Sequence, residues 1–188
     1  MPKRFSIKPT MTIKGRTFKG LRGFSGKPTH PPLTDIPIAA YVFVAVFDVI
    51  SYIAGAGTEA GRNFFVAGTY VIIGGLAVSL LTALTGFWDW LRSTEVGTQA
   101  RRTANWHMAV MLFVTSIVTA DVVIRLVQCD HPSTSTIVLV LSVLAGLLVA
   151  YGATYGGALV FEYGFNVETA GDSPVWHKSE QDVFPGEE

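Results

Sequence analysis

Residues 64–88 read Phe-Phe-Val-Ala-Gly-Thr-Tyr-Val-Ile-Ile-Gly-Gly-Leu-Ala-Val-Ser-Leu-Leu-Thr-Ala-Leu-Thr-Gly-Phe-Trp, with no charged side chain. A helix of about 25 residues that is apolar on every face cannot lie on the surface of a water-soluble domain, which needs one polar side. It is long enough to cross a bilayer, whose ~30 Å hydrocarbon core takes about 20 residues. The stretch 136–160 has the same character and is also uncharged. Two further apolar stretches complete the pattern: 36–55, broken by Asp48, and 106–127, which carries His107, Asp121 and Arg125. Only helices cross lipid as single segments, because lipid offers backbone groups no hydrogen bonds. The expected fold class is therefore all-α: a four-helix transmembrane bundle, antiparallel and up-down-up-down.

The bulk composition agrees. Hydrophobic residues make up 49% of the 188-residue chain and charged residues 15%, against about 25% charged in ordinary soluble domains. Short connections at 56–63 and 128–135 make neighbouring helices antiparallel. The longer link, 89–105, is polar and carries Arg92, Arg101 and Arg102. Three regions are expected: a basic arm at 1–34, the membrane domain at 35–164 and an acidic tail at 165–188. Thr34 or Asp35 is expected to cap the first helix, with Pro37 in its first turn. His30, followed by two prolines, is expected outside that helix.

Charge is balanced overall but unevenly placed. The arm holds Lys3, Arg4, Lys8, Lys14, Arg16, Lys19, Arg22 and Lys27 and no acid. With the N-terminus inside, twelve of the fourteen basic residues fall on the cytoplasmic side, leaving Arg62 in an outer loop and Arg125 in a span. An excess of basic residues marks the cytoplasmic face, so the expected orientation is N-in, C-in. The arm is expected to meet anionic lipid head groups. No nucleic-acid recognition motif accompanies it, so no nucleic-acid partner is expected. The single cysteine, Cys129, excludes an internal disulfide and says nothing about redox compartment.

Ionisable residues within lipid usually face the bundle interior and find partners. Asp48 lies about 19 Å into the first span at 1.5 Å per residue. Asp121 and Arg125 sit late in the third span, one turn apart on a shared face. These three are expected to form an interior ion cluster in the outer half, acting either as a clamp between helices or as part of a proton or ion path. His107 is almost four full turns before Asp121 and shares its face.

Topology gathers His30, Asp35, Asp89, His107, Glu162 and Tyr163 at the opposite, cytoplasmic surface. Trp88, Trp90 and Trp106 read as interfacial anchors there. Gly152 and Gly156, with Gly74 and Gly75, give the small-residue spacing that lets membrane helices approach closely.

The stretch Gly26-Lys27-Pro28-Thr29-His30-Pro31-Pro32-Leu33-Thr34-Asp35-Ile36-Pro37-Ile38-Ala39 resembles the opening of a bacterial membrane family catalogued as a domain of unknown function, number 2231. Further matching features are Asp48, the run Thr85-Gly86-Phe87-Trp88-Asp89-Trp90, and the run from Gly156 to Gly164. The resemblance spans about Gly26 to Glu168. Asp35 and Tyr163 stand where relatives usually carry histidine. The resemblance implies a multi-pass protein of the bacterial cytoplasmic (inner) membrane. Fusion of some relatives to Rieske or cytochrome-type domains implies redox work.

Three functions compete. The first is a non-catalytic subunit or assembly partner of a membrane complex, docking a membrane or cytoplasmic protein or a second copy of this chain. The second is electron transfer through a b-type haem, with His30 and His107 as axial ligands and Asp35, Asp89 and Tyr163 supporting them. The third is a small proton or solute carrier, for which the unbroken second and fourth spans offer no discontinuous helix. No catalytic residue and no metal-ion site is assigned: HExxH and P-loop patterns are absent.

Overall fold

The computed structural model describes residue 21 and residues 28–165. Most of the arm and all but the first residue of the acidic tail lie outside the described residues. Among those described, the chain forms four helices and no strand: α1 (His30–Ala54), α2 (Glu59–Ser93), α3 (Gln99–Val127) and α4 (Thr136–Phe161). Even the shortest, α1 with 25 residues, spans about 37 Å at 1.5 Å per residue, more than the hydrocarbon core. Each is long and apolar enough to cross a membrane.

The start of α1 differs from expectation. His30 is its first residue, Thr29 is the N-cap, and Asp35 lies exposed in the second turn. Pro31 and Pro32 do not exclude His30, because the first backbone N–H groups of a helix have no intrahelical partner. The Thr34 hydroxyl donates to Pro31 O at 2.6 Å rather than capping the helix. Pro37 cannot donate to the carbonyl four residues back, and that carbonyl, Leu33 O, instead lies 3.3 Å from the Thr82 hydroxyl of α2.

The turn from α1 to α2 is tight. Gly55 and Gly57 take φ of 78° and 87°, which only glycine adopts without strain. Thr58 caps α2 by accepting from Gly61 N–H at 3.0 Å. Thr98 caps α3 in the same way, accepting from Arg101 N–H at 3.2 Å. Arg62 ties the α1–α2 turn to the 128–135 loop, donating to Cys129 O at 2.8 Å and His131 O at 2.7 Å.

The helices form a ring in the order α1–α2–α3–α4, with α1 across from α3 and no close backbone approach across either diagonal; the α1–α3 diagonal is bridged by the Arg125 side chain, which reaches Asp48. The pairs α1–α2, α3–α4 and α1–α4 pack closely, whereas α2 and α3 touch least. Val44, Ile72, Val114, Val118, Ala145 and Val149 fill the centre. A Cβ at Gly75 would lie 2.7 Å from Ala40 Cβ, so helix approach there requires glycine. Leu84, Tyr70, Leu147 and Phe43 are among the large apolar side chains that face outward, as lipid-exposed helices require. The bundle thus has two ends: a tail end, with the start of α1 and the end of α4, and a hairpin end, with the 55–58 and 128–135 loops.

Candidate functional site

At the tail end, two histidines sit in equivalent seats. His30 on α1 lies against Gly86 of α2, where an added Cβ would be 2.6 Å from His30 Cε1. Its Nδ1 is 3.0 Å from Thr82 O. His107 on α3 lies against Gly156 of α4, where an added Cβ would be 3.1 Å from His107 Cε1. Its Nδ1 is 2.9 Å from Gly152 O. In both cases the acceptor is the carbonyl four residues before the glycine. Its helix partner is the glycine's own N–H, and the missing side chain leaves room for an imidazole to reach it.

A carbonyl oxygen only accepts, so Nδ1 must be the donor in both rings. In the neutral ring Nε2 then carries the lone pair. Neither Nε2 has a hydrogen-bond partner among the described residues. Both histidines line one cavity of about 690 Å³, within the ~300–1,000 Å³ range of small-molecule sites. They reach it from diagonally opposed helices.

The walls are mostly apolar, with Ile38, Leu80, Phe87, Met108 and Val149 among them. Deeper in, Tyr41 also lines the cavity, and its buried hydroxyl makes no well-formed hydrogen bond among the described residues, although the Ser79 hydroxyl is close by. Asp35 and Asp89 line the cavity as well. Neither supports a histidine: those acceptors are the Thr82 and Gly152 carbonyls. Asp89, only 3% exposed, instead accepts from the Leu21 backbone N–H at 2.8 Å. Tyr163 and Glu162 are exposed and do not line the cavity. Trp90 is a wall residue, donating from Nε1 to Asn105 Oδ1 at 2.7 Å. Arg101 stacks 3.7 Å over the Trp90 ring, a cation–π contact that adds positive charge beside the cavity.

Asp48, Asp121 and Arg125 lie together at the hairpin end, each with no solvent exposure. Arg125 pairs with Asp48 through Nη2 and with Asp121 through Nε, the latter at 3.0 Å. The Thr134 hydroxyl donates to Asp48 Oδ1 at 2.9 Å. Thr134 N–H donates to Ser51 Oγ at 2.9 Å, and Ser51 donates onward to Gly61 O at 2.6 Å. The network thus joins α1, α2, α3 and the 128–135 loop.

Sequence reasoning missed Thr82, Gly86, Tyr41, Thr134 and Ser51. Gly86 and Gly156 were visible as glycines near the tail-end termini of α2 and α4, but nothing in the sequence pairs either with a particular histidine.

Four lipid-length helices around an interior site define a multi-pass helical membrane protein. The chain belongs to the family described as "Predicted membrane protein (DUF2231)", whose model matches residues 26–169. A search of the curated proteins and of the solved structures returned no match.

Proposed function

We propose that the tail-end cavity holds a b-type haem between His30 and His107 and that the protein transfers electrons in the membrane. The observation that carries this reading is the pair of matched histidine seats. Two Nδ1–H groups donate to backbone carbonyls, an arrangement that fixes the tautomer and ring orientation of metal-binding histidines. Two Nε2 lone pairs remain, from opposite sides of a single apolar cavity.

The rest of the donor set fits a tetrapyrrole better than a bare ion. No group of three or more His, Cys, Asp or Glu among the described residues could hold a metal ion. A porphyrin brings four nitrogens and asks the protein for at most two axial ligands. The apolar walls suit its faces, and Arg101 against Trp90 suits an acidic edge. Haem, when bound, supplies one-electron redox chemistry. The chain's part is to orient the two imidazoles and keep water from the ring. An assembly partner or a carrier needs no such pair of seats. The distribution of Lys and Arg supports a cytoplasmic placement of the tail end, and the family resemblance supports a bacterial inner membrane.

The test is an optical spectrum and pyridine haemochrome assay of detergent-purified protein, expressed with adequate haem supply. The expected result is a six-coordinate low-spin spectrum, lost in His30→Ala and in His107→Ala while helix content is retained. A colourless wild type that also fails to bind added haemin overturns the proposal.

A further inference from the structure

We propose that the Asp48–Arg125–Asp121 network is a proton-binding site that holds one proton on its carboxyl pair, at Asp121. The inference is independent of the haem reading, since it concerns the opposite end of the bundle.

The argument begins with a count of charges. The network has two carboxyl groups and one guanidinium, all without solvent exposure. Arginine stays protonated in proteins. With both acids ionised the network would carry one net negative charge in a low-dielectric setting, which is strongly unfavourable. Some cation must complete it.

The surrounding elements supply none among the described residues. From α2 come the Thr69 hydroxyl, 3.4 Å from Arg125 Nη1, and the Phe65 ring, 5.7 Å from the guanidinium carbon. The 128–135 loop contributes the Thr134 hydroxyl. The two nearby basic groups are engaged elsewhere: Arg62 donates to Cys129 O and His131 O, and His131 Nδ1 bonds Ser133 O at 2.7 Å. A metal ion would need several oxygens free of donors. Asp48 Oδ1 accepts from Thr134, Asp48 Oδ2 accepts from Arg125, and Asp121 Oδ1 accepts from Arg125 Nε. Only Asp121 Oδ2, 3.4 Å from Arg125 Nη2, lacks a close donor. A proton needs one such oxygen, and that is what the site offers.

Infrared spectroscopy of the full chain in detergent or lipid reads this directly, because a protonated carboxyl has a C=O stretch distinct from carboxylate and amide bands and sensitive to D2O. The wild type minus Asp121→Asn difference spectrum is expected to show one carboxylic-acid band. Asp48→Asn is expected to lose the band as well, since the remaining aspartate then pairs one-to-one with Arg125 and gives up its proton. Arg125→Gln, if it folds, is expected to gain a second protonated carboxyl. The two Asn variants are near-isosteric, and retained helix content establishes that they are folded. A wild type with no such band relative to Asp121→Asn overturns the proposal, as does an Asp48→Asn variant that keeps it.

Discussion

The two ends of the bundle solve opposite problems with the same four helices. At the hairpin end the two carboxyls and the guanidinium bond one another, leaving Asp121 Oδ2 as the one carboxyl oxygen of the network without a close donor, and Arg125 alone touches residues of three helices. At the tail end the helices leave about 690 Å³ unfilled, and three of the polar atoms on residues that line it stay unpaired. A hydroxyl at Tyr41 and an Nε2 on each of two histidines find no partner among the described residues. Buried polar groups normally pair. A region whose polar groups bond one another ties its helices together, whereas unpaired groups around a cavity leave room for a ligand, the difference on which the proposed haem site rests.

If that contrast is right, substitutions at the two ends must fail in different ways. The largest effect is expected at Arg125. Arg125→Met leaves two buried carboxyls without their cation. Removing one partner of a buried pair costs about 3–5 kcal/mol. Reversible unfolding in mixed micelles is the measurement, and a loss within experimental error of zero would break the comparison. The next effect is smaller and at the same end. Thr134→Val removes the donor to Asp48 Oδ1 and leaves that acceptor unpaired in a buried site, a cost of about 1–3 kcal/mol. Neither variant is expected to alter the spectrum of a haem bound some five helical turns away along α1.

Substitution of the histidine seats should invert that pattern. A methyl at Gly86 would come within 2.6 Å of the His30 ring, and one at Gly156 within 3.1 Å of the His107 ring. Gly86→Ala is expected to lower haem affinity by at least about tenfold, roughly 1.4 kcal/mol, and Gly156→Ala by less. Haemin titration monitored by absorbance distinguishes them. Equal affinities for both variants and wild type would mean that the rings do not need these glycines.

The sequence made the helices legible because lipid imposes one strong rule: about 20 residues without charge. Residues 64–88 and 136–160 satisfy it with no competing interpretation. The spacing of Asp121 and Arg125 was equally readable, since one helical turn separates them. Thr134 and Ser51 were not, because their roles depend on the path of the 128–135 loop back over α1. His30 was placed wrongly for a specific reason. Pro31-Pro32 reads as a helix breaker, yet a first turn has no hydrogen bonds for proline to break. Its seat depends on Gly86 of a neighbouring helix, a match of depth between two helices that spacing along one chain does not encode.

The smallest expected effect belongs to Tyr41, and it bears on whether the tail end is complete without a ligand. The residue is 2% exposed and packs in the core, while its hydroxyl makes no well-formed hydrogen bond. Removing an unsatisfied hydroxyl while keeping the ring is neutral or favourable in a closed core, because no hydrogen bond is lost and a desolvation cost disappears. Tyr41→Phe should therefore leave the unliganded protein unchanged or stabilise it by up to about 1 kcal/mol. If the hydroxyl instead donates to a bound group or to a water beside it, the same variant loses stability only when the cavity is filled. Measuring Tm for wild type and Tyr41→Phe, each with and without haemin, separates the two cases. A destabilised unliganded variant would show that the hydroxyl already has a partner, and that the tail end is more fully matched than its geometry indicates.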